Sequence, residues 1–390
     1  MVQEISNMRR FRLGARAMSD TIRVEEFSDN DFPRVLSEEW DDFEKRAEQS
    51  FPFTHPAYVA LWWDLLGDSG RPLVVIARKD GQLVGYAPFV ETVDRGGFLP
   101  MPTVRFMGNN IGSPGSILFE DIATAAPHLP IIRGILTRVR SHHVVQRWDL
   151  GYLPHWSPTW EVLAELLSID TSLGLDSSPH VLLELPAEWD AYLTSLNPRR
   201  RKKFRRQLRG LQDHGAVRVC LDDKPESTPR RVEEMIRNHD RWWQGTPREG
   251  WFGDKVVRRF YVSEACLLAS QGRYLTMTLE LDGTPIAWVV GVCDGKSYFD
   301  RMTSFDREFA SFSPGIVLLM MGFRHLISRG IRQVELGPGM PEYKFVVGGR
   351  TVTYSHAVGY SSPRWLRQLS RNPGVGQIMR ALNRLGLKSS

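Results

Sequence analysis

Two segments about 200 residues apart share one design, and together they restrict the fold more than any other feature of the chain. Leu73 to Ala77 runs through Lys79-Asp80-Gly81 into Leu83 to Val90, and Leu275 to Leu281 runs through Asp282-Gly283 into Ile286 to Val292. Asp-Gly between apolar, β-branched runs marks a two-residue hairpin, because the turn needs positive φ at both central positions. Each hairpin follows a helix-rich region and precedes another strand. Upstream of the first, the periodicity predicts helices over Ser37 to Gln49 and Pro56 to Leu66; upstream of the second, over Pro229 to Trp243 and Asp254 to Ser270. A tandem pair of related α/β units is the expected organisation, with two unrelated hairpins in one large α/β protein as the alternative.

At 390 residues the chain exceeds what one core usually serves, which also favours two units. A Ser-, Asp- and Gly-rich stretch from Ser168 to Ser178 is the expected connection. Cys220, Cys266 and Cys293 are too few and too scattered for a disulfide framework or a zinc site, and each reads as a small buried hydrophobe. No metal site is expected. No apolar run reaches the roughly 18 residues of a membrane-spanning helix, and Met1 to Ala17 carries four arginines without the apolar stretch of a secretory signal. The expected location is the cytoplasm.

The net charge of +5 is modest, but its distribution is not even. Between Arg199 and Arg209 eight Arg and Lys residues occur without an acid, and Asn197-Pro198 supplies an N-cap and a first-turn proline. The segment predicts a helix to about Asp213, with Phe204, Leu208 and Leu211 as its buried stripe. Its cationic side faces either solvent or an anion, and the unbroken sign is unusual for a solvated helix. An anionic lipid surface, a phosphorylated donor or a transfer RNA backbone would each suit it. Residues 361–390 form a second basic region, with Val375, Ile378, Met379, Leu382 and Leu385 on one helical face. That pattern suits an interfacial helix or one docked on the protein itself.

The chemistry is expected between Asp306 and Arg350. A strand leads into Ser311-Phe312-Ser313-Pro314-Gly315, an apolar helix follows, and a second strand ends in Gly337-Pro338-Gly339 before Tyr343-Lys344. Pro314 suits a first helical turn, Gly315 keeps the next backbone bare, and a helix start of this kind offers N–H groups to an anion such as a pyrophosphate. The earlier Gly112-Ser113-Pro114-Gly115 echoes it, but no long apolar helix follows at once, so the first anion site reads as degenerate.

Leu281-Asp282-Gly283-Thr284-Pro285-Ile286-Ala287, Ser304-Phe305-Asp306, Phe312-Ser313-Pro314-Gly315 and Gly339-x-x-Glu342-Tyr343-Lys344, in this order, resemble the GNAT acyltransferases, and more closely the FemAB-like and CelD-like branch. The resemblance implies an α/β fold of tandem GNAT-like domains, each a mixed twisted sheet flanked by helices. Residues 20–168 would form an N-terminal unit with a degenerate cofactor site. Residues 178–360 would form the unit that binds acyl-CoA, followed by the basic tail at 361–390.

The activity implied is transfer of an acyl group other than an aminoacyl group from a thioester to an amine, by direct attack. The acceptor is expected to be a cell-envelope lipid or sugar precursor, and the two basic elements favour a peripheral position at the inner membrane face, with an anionic membrane surface as a further partner. Phe312, Ser313, Pro314, Gly315 and Ile316 would bind the coenzyme. Asp306 sits where the branch has an aspartate, and Tyr343 and Lys344 match its Tyr-Lys pair. His239 joins these three as a catalytic candidate on its intrinsic pKa. Asp300, Glu335 and Glu342 lie near the same strand ends and are further candidates for the base. Two other readings stay open: an aminoacyltransferase drawing on aminoacyl-tRNA, and a non-catalytic module that binds an anionic polymer.

Overall fold

The computed structural model describes residues 22–27, 32–49, 52–67, 70–95, 100–108, 122–125, 127–154, 159, 162, 177–245 and 251–360. The first half comprises β1 (Arg23–Phe27), α1 (Phe32–Ser37), α2 (Trp40–Arg46), β2 (Ala47–Gln49), α3 (Pro56–Leu66), β3 (Arg71–Lys79), β4 (Gln82–Asp94), β5 (Met101–Phe106), β6 (Ala123–Ala125), α4 (His128–His142) and β7 (Arg147–Pro154). The second half opens with β8 (Ser177–Glu184), α5 (Trp189–Ser195), α6 (Pro198–Gln212), β9 (Val217–Asp222), α7 (Thr228–Trp243) and α8 (Lys255–Ser270). It continues through β10 (Tyr274–Leu281), β11 (Thr284–Asp294), β12 (Ser297–Phe305), α9 (Pro314–Ser328), β13 (Gln333–Pro338), α10 (Glu342–Val346) and β14 (Arg350–Tyr360).

Both Asp-Gly pairs form the predicted turns: φ is 52° and 80° at Asp80 and Gly81, and 49° and 79° at Asp282 and Gly283. The chain therefore reverses tightly from β3 to β4 and from β10 to β11. The single helix expected over residues 37–49 is instead the short α2, set off from α1 at residues 38–39 and followed by β2. The Glu39 carboxylate at the break is held by both Arg78 guanidinium nitrogens, and the helical run ends at Ala47, where extended β2 begins.

The strands form one sheet in the order β1-β3-β4-β5-β7-β14-β8-β13-β12-β11-β10-β9, with β2 and β6 beside it. Pairing repeats between halves. β1-β3-β4-β5 and β9-β10-β11-β12 are antiparallel, and each set ends in one parallel pair, β5 with β7 and β12 with β13. The tandem α/β architecture is thus present, but the halves are not separate sheets. They meet where β8 pairs with β13 and β14, while β14 reaches across to β7. Each half is closed by a strand encoded next to the other.

Among the described residues, three apolar cores follow from this layout. One face of the second half buries Leu318, Phe323 and Leu326 of α9 with Phe204 and Leu211 of α6, and the matching face of the first half buries Ile131, Ile135 and Val139 of α4. On the other side, Phe32, Trp40 and Tyr58 from the first half share a core with Val232, Phe260 and Phe299 from the second. Polar ties accompany it: Arg273 of the second half binds the Glu44 carboxylate of the first through both guanidinium nitrogens.

Candidate active site

β12 and β13 pair over only three positions, Ser297 with Gln333, Tyr298 with Val334 and Phe299 with Glu335. Beyond them the strands have no further partner in each other, although β12 runs on to Phe305 and β13 to Pro338. A bulge between Val290 and Gly291 shifts the register of β11 against β12 just before this point. Gly291 is needed there, because a Cβ would meet the Tyr298 ring at 2.3 Å. The parted strands leave backbone groups that no ladder claims, the requirement for receiving a carbonyl oxygen.

α9 starts beside this split. Ser313 stands in the left-handed region (φ 49°, ψ 55°), Pro314 holds the first turn, and Gly315 is buried against β12. A Cβ on Gly315 would lie 3.4 Å from both Thr303 and Phe305, at van der Waals contact, so the helix start lies alongside β12. The Ser313 hydroxyl does not cap α9; it accepts a hydrogen bond from Gln207 Nε2 of α6 at 2.7 Å. α6 also rests on Phe312, since a Cβ at Gly210 would meet that ring at 2.9 Å and His214 lies 4.7 Å from it, centroid to centroid. The basic helix is therefore a wall of the α9 mouth. Phe312 to Ile316 form the lip of this helix start, with the side-chain-free Gly315 at its second position.

Polar side chains gather at the split itself. Asp300, one residue beyond the last parallel pair, is half-buried, and its carboxyl is pushed up to about 7 by burial, against the pull of Lys344 and a hydroxyl contact from Thr303 at 3.4 Å. Lys344 is 4% exposed and donates to the carbonyls of Gly337 and Pro338 at 2.9 and 2.7 Å. Burial lowers its pKa, while Asp300 and Glu335 oppose that shift. Tyr343 is half-buried; burial and the nearby Asp300 carboxyl hold its hydroxyl protonated well beyond the ordinary tyrosine range. Glu335 accepts from the Gly337 N–H at 3.0 Å and the Tyr354 hydroxyl at 3.3 Å, and lies 3.4 Å from His180 Nδ1. Gly337 and Gly339, at φ 78° and 80°, make the turn that α10 and Lys344 close.

The sequence-predicted residues thus divide. Tyr343 and Lys344 lie at the split. Asp306 lies at the end of β12 and caps the turn Arg307–Phe312, its carboxylate accepting from the Glu308 N–H at 3.0 Å, so it shapes the approach to Ser313. His239 is buried on α7 against Phe252 and Trp243, at ring-centroid distances of 5.2 and 6.0 Å, while its neighbour Asn238 donates to Ser304 of β12. Asp300 and Glu335 were visible as carboxylates near strand ends, but only the register shows that one faces the opening and the other closes its vertex. His180 gave no signal in its apolar strand.

Burial raises the pKa of all three cysteines, that of Cys293 to about 11, so none is poised as a thiolate. Among the described residues no group of three or more His, Cys, Asp or Glu could hold a metal ion. No helix among the described residues is long and apolar enough to cross a membrane. Residues 109–121, 168–176 and 361–390, which include the first Gly-rich loop, the expected connection and the basic tail, lie outside the described residues.

Residues 198–345, from α6 to α10, match the family model of the acetyltransferase (GNAT) domain. No curated protein matches the chain. Among solved structures, FemX superposes with a TM-score of 0.57 at 11% identity, covering 88% of this chain and 99% of FemX. A C-terminal domain (DUF2156) from Agrobacterium fabrum, assigned as part of a lysylphosphatidylglycerol synthetase, gives 0.50 at 10% identity, covering 90% of this chain and 97% of that domain. At these identities the likeness is one of fold. Residues 198–345 thus match the acetyltransferase (GNAT) domain, and across both halves the fold is similar to that of FemX.

Proposed function

We propose that the protein is an N-acyltransferase that takes its acyl group from acyl-CoA and passes it directly to an amine of a cell-envelope lipid or sugar precursor. The observation that supports this most is the parting of β12 and β13 beside the mouth of α9, with Asp300 and Tyr343 at the opening. In this reading Phe312 to Ile316 hold the coenzyme phosphates, and the parted strands receive the thioester oxygen. The acceptor must attack as a free amine. Asp300, ionised above about pH 7, takes a proton from the attacking ammonium or from the tetrahedral adduct. The proton collected at Asp300 passes to the departing thiolate, towards which the Tyr343 hydroxyl donates a hydrogen bond. Lys344 keeps the turn at Gly337 to Gly339 in place and its charge beside Asp300. His239 and Asp306 act one step away, through β12 and the turn before α9.

Thermal melting with coenzyme A tests the donor. Ligation should raise the melting temperature in a concentration-dependent way, and Gly315→Glu, which places an anion at the mouth, should remove that rise. A rise that persists in Gly315→Glu would displace the donor from α9. An aminoacyl ester on a transfer RNA would present the same kind of carbonyl to the same split. Protection by aminoacyl-tRNA with no response to coenzyme A would move the assignment to that second donor, and no response to either would favour the polymer-binding module.

A further inference from the structure

α6 carries six exposed cations, Arg199, Lys202, Lys203, Arg205, Arg206 and Arg209. None of the six has a carboxylate partner among the described residues. Elsewhere exposed arginines do find one: Arg230 pairs with Glu234 and Arg350 with Glu184. At 3.6 residues per turn the six positions occupy an arc of about 160°, while Phe204, Gln207 and Leu211 are buried on the opposite side. The helix is 15 residues long, about 22 Å at 1.5 Å per residue. It is a rod whose apolar side is already used by the core and whose outer side is only positive.

We infer that this face of α6 docks the protein on an anionic lipid surface by charge alone. Six cations fall within the roughly four to eight that mark basic segments attracted to acidic headgroups. Insertion is excluded by the same geometry, because the apolar stripe that would enter a bilayer is packed against α9 and its neighbours. A nucleic acid is the less suitable occupant. The six side chains include no aromatic ring to stack on a base and no amide or hydroxyl to read an edge, the features that single-strand and RNA readers add to charge. Docking here would leave the α9 mouth about one helix diameter, roughly 10 Å, from the membrane, since Gln207 and Gly210 of the same helix touch Ser313 and Phe312 from its inner side. The inference rests on α6 itself and not on the acyl-transfer reading.

Sedimentation of the full chain with phosphatidylcholine vesicles, with and without phosphatidylglycerol, tests it without any donor or acceptor. Binding should require phosphatidylglycerol and fade as salt shortens the Debye length from about 30 Å at 0.01 M to about 8 Å at 0.15 M. Arg205→Gln/Arg206→Gln/Arg209→Gln should weaken it about a hundredfold, at roughly fivefold per cation. Arg71→Gln/Lys255→Gln/Arg324→Gln, which removes the same charge from exposed positions elsewhere, should change it only a few-fold. Equal loss in the two triple variants, or no vesicle binding at low salt, would overturn the inference. So would tighter binding to a transfer RNA than to vesicles, lost in the α6 variant. Melting temperatures of both variants confirm that the fold is kept.

Discussion

The two halves place the same strands in the same order and fill the parallel seam differently. In the first half β5 and β7 pair at Thr103–Arg147, Val104–Trp148 and Arg105–Asp149, three positions like those of β12 and β13. One residue further, where the second half has Asp300, the first has Phe106, fully buried and 5.0 Å from the Phe89 ring. Where the second half has Glu335 bound to His180 and Tyr354, the first has Asp149 bound to Arg147 and Arg105, with Arg147 also reaching Asp94. Charges in the first half cancel one another; in the second, an acid is left half-buried with its proton loosely decided. One scaffold thus holds a closed seam that stabilises and an open one suited to chemistry.

The sharpest way to break this contrast is Asp300→Asn. Loss of the proposed base should reduce kcat/KM by about a hundredfold or more, measured at pH 8 with whichever amine acceptor supports turnover. In the wild type the rate should rise with pH and level off above about 7. Stability should move the other way. Because the folded carboxyl titrates near 7 instead of 3.8, the folded state binds the proton more tightly, and wild-type stability falls as pH rises from about 4 to 7. Asn does not titrate, so the variant should be more stable than wild type at pH 8, by about 1 kcal/mol after allowance for partial exposure, with the gap closing near pH 4.

Next in size, Arg147→Met should test the closed seam. It leaves Asp94 and Asp149 without their shared guanidinium and should cost about 2 kcal/mol in chemical denaturation, with the coenzyme A response unchanged. If that response disappeared, the first half would be part of the donor site after all. The smallest effect expected is that of Lys344→Met. Without the neighbouring ammonium, the Asp300 carboxyl should titrate higher still, moving the acid limb of the rate profile upward by less than about one pH unit. A downward move would show that Lys344 does not face Asp300 electrostatically.

Local chemistry was legible in the sequence. Asp80-Gly81 and Asp282-Gly283 announce their turns, Asn197-Pro198 announces the start of α6, with the Asn197 side chain accepting from the Arg199 N–H at 2.8 Å, and Ser313-Pro314-Gly315 announces α9. Partners distant in sequence were not. The run Val181-Leu182-Leu183 reads as any buried strand, and nothing in it tells that it lies between β13 and β14. Asp300 and Asp306 are six residues apart on one strand and its exit, and composition cannot rank them. Register does, turning one towards the opening and the other into a cap. His239 drew notice for its intrinsic titration range, yet its ring is spent on Phe252 and Trp243.

The crossing of β14 to β7 has a consequence for synthesis on the ribosome. β7 ends at Pro154 and its outer neighbour begins at Arg350, so the first half waits for roughly 200 residues before that border is covered. At 5 to 20 residues per second the wait is roughly 10 to 40 s, during which the β7 backbone is open to a second nascent chain. A stop codon shortly before Arg350 would leave both halves unfinished, although the shortened product would still encode every strand from β1 to β7.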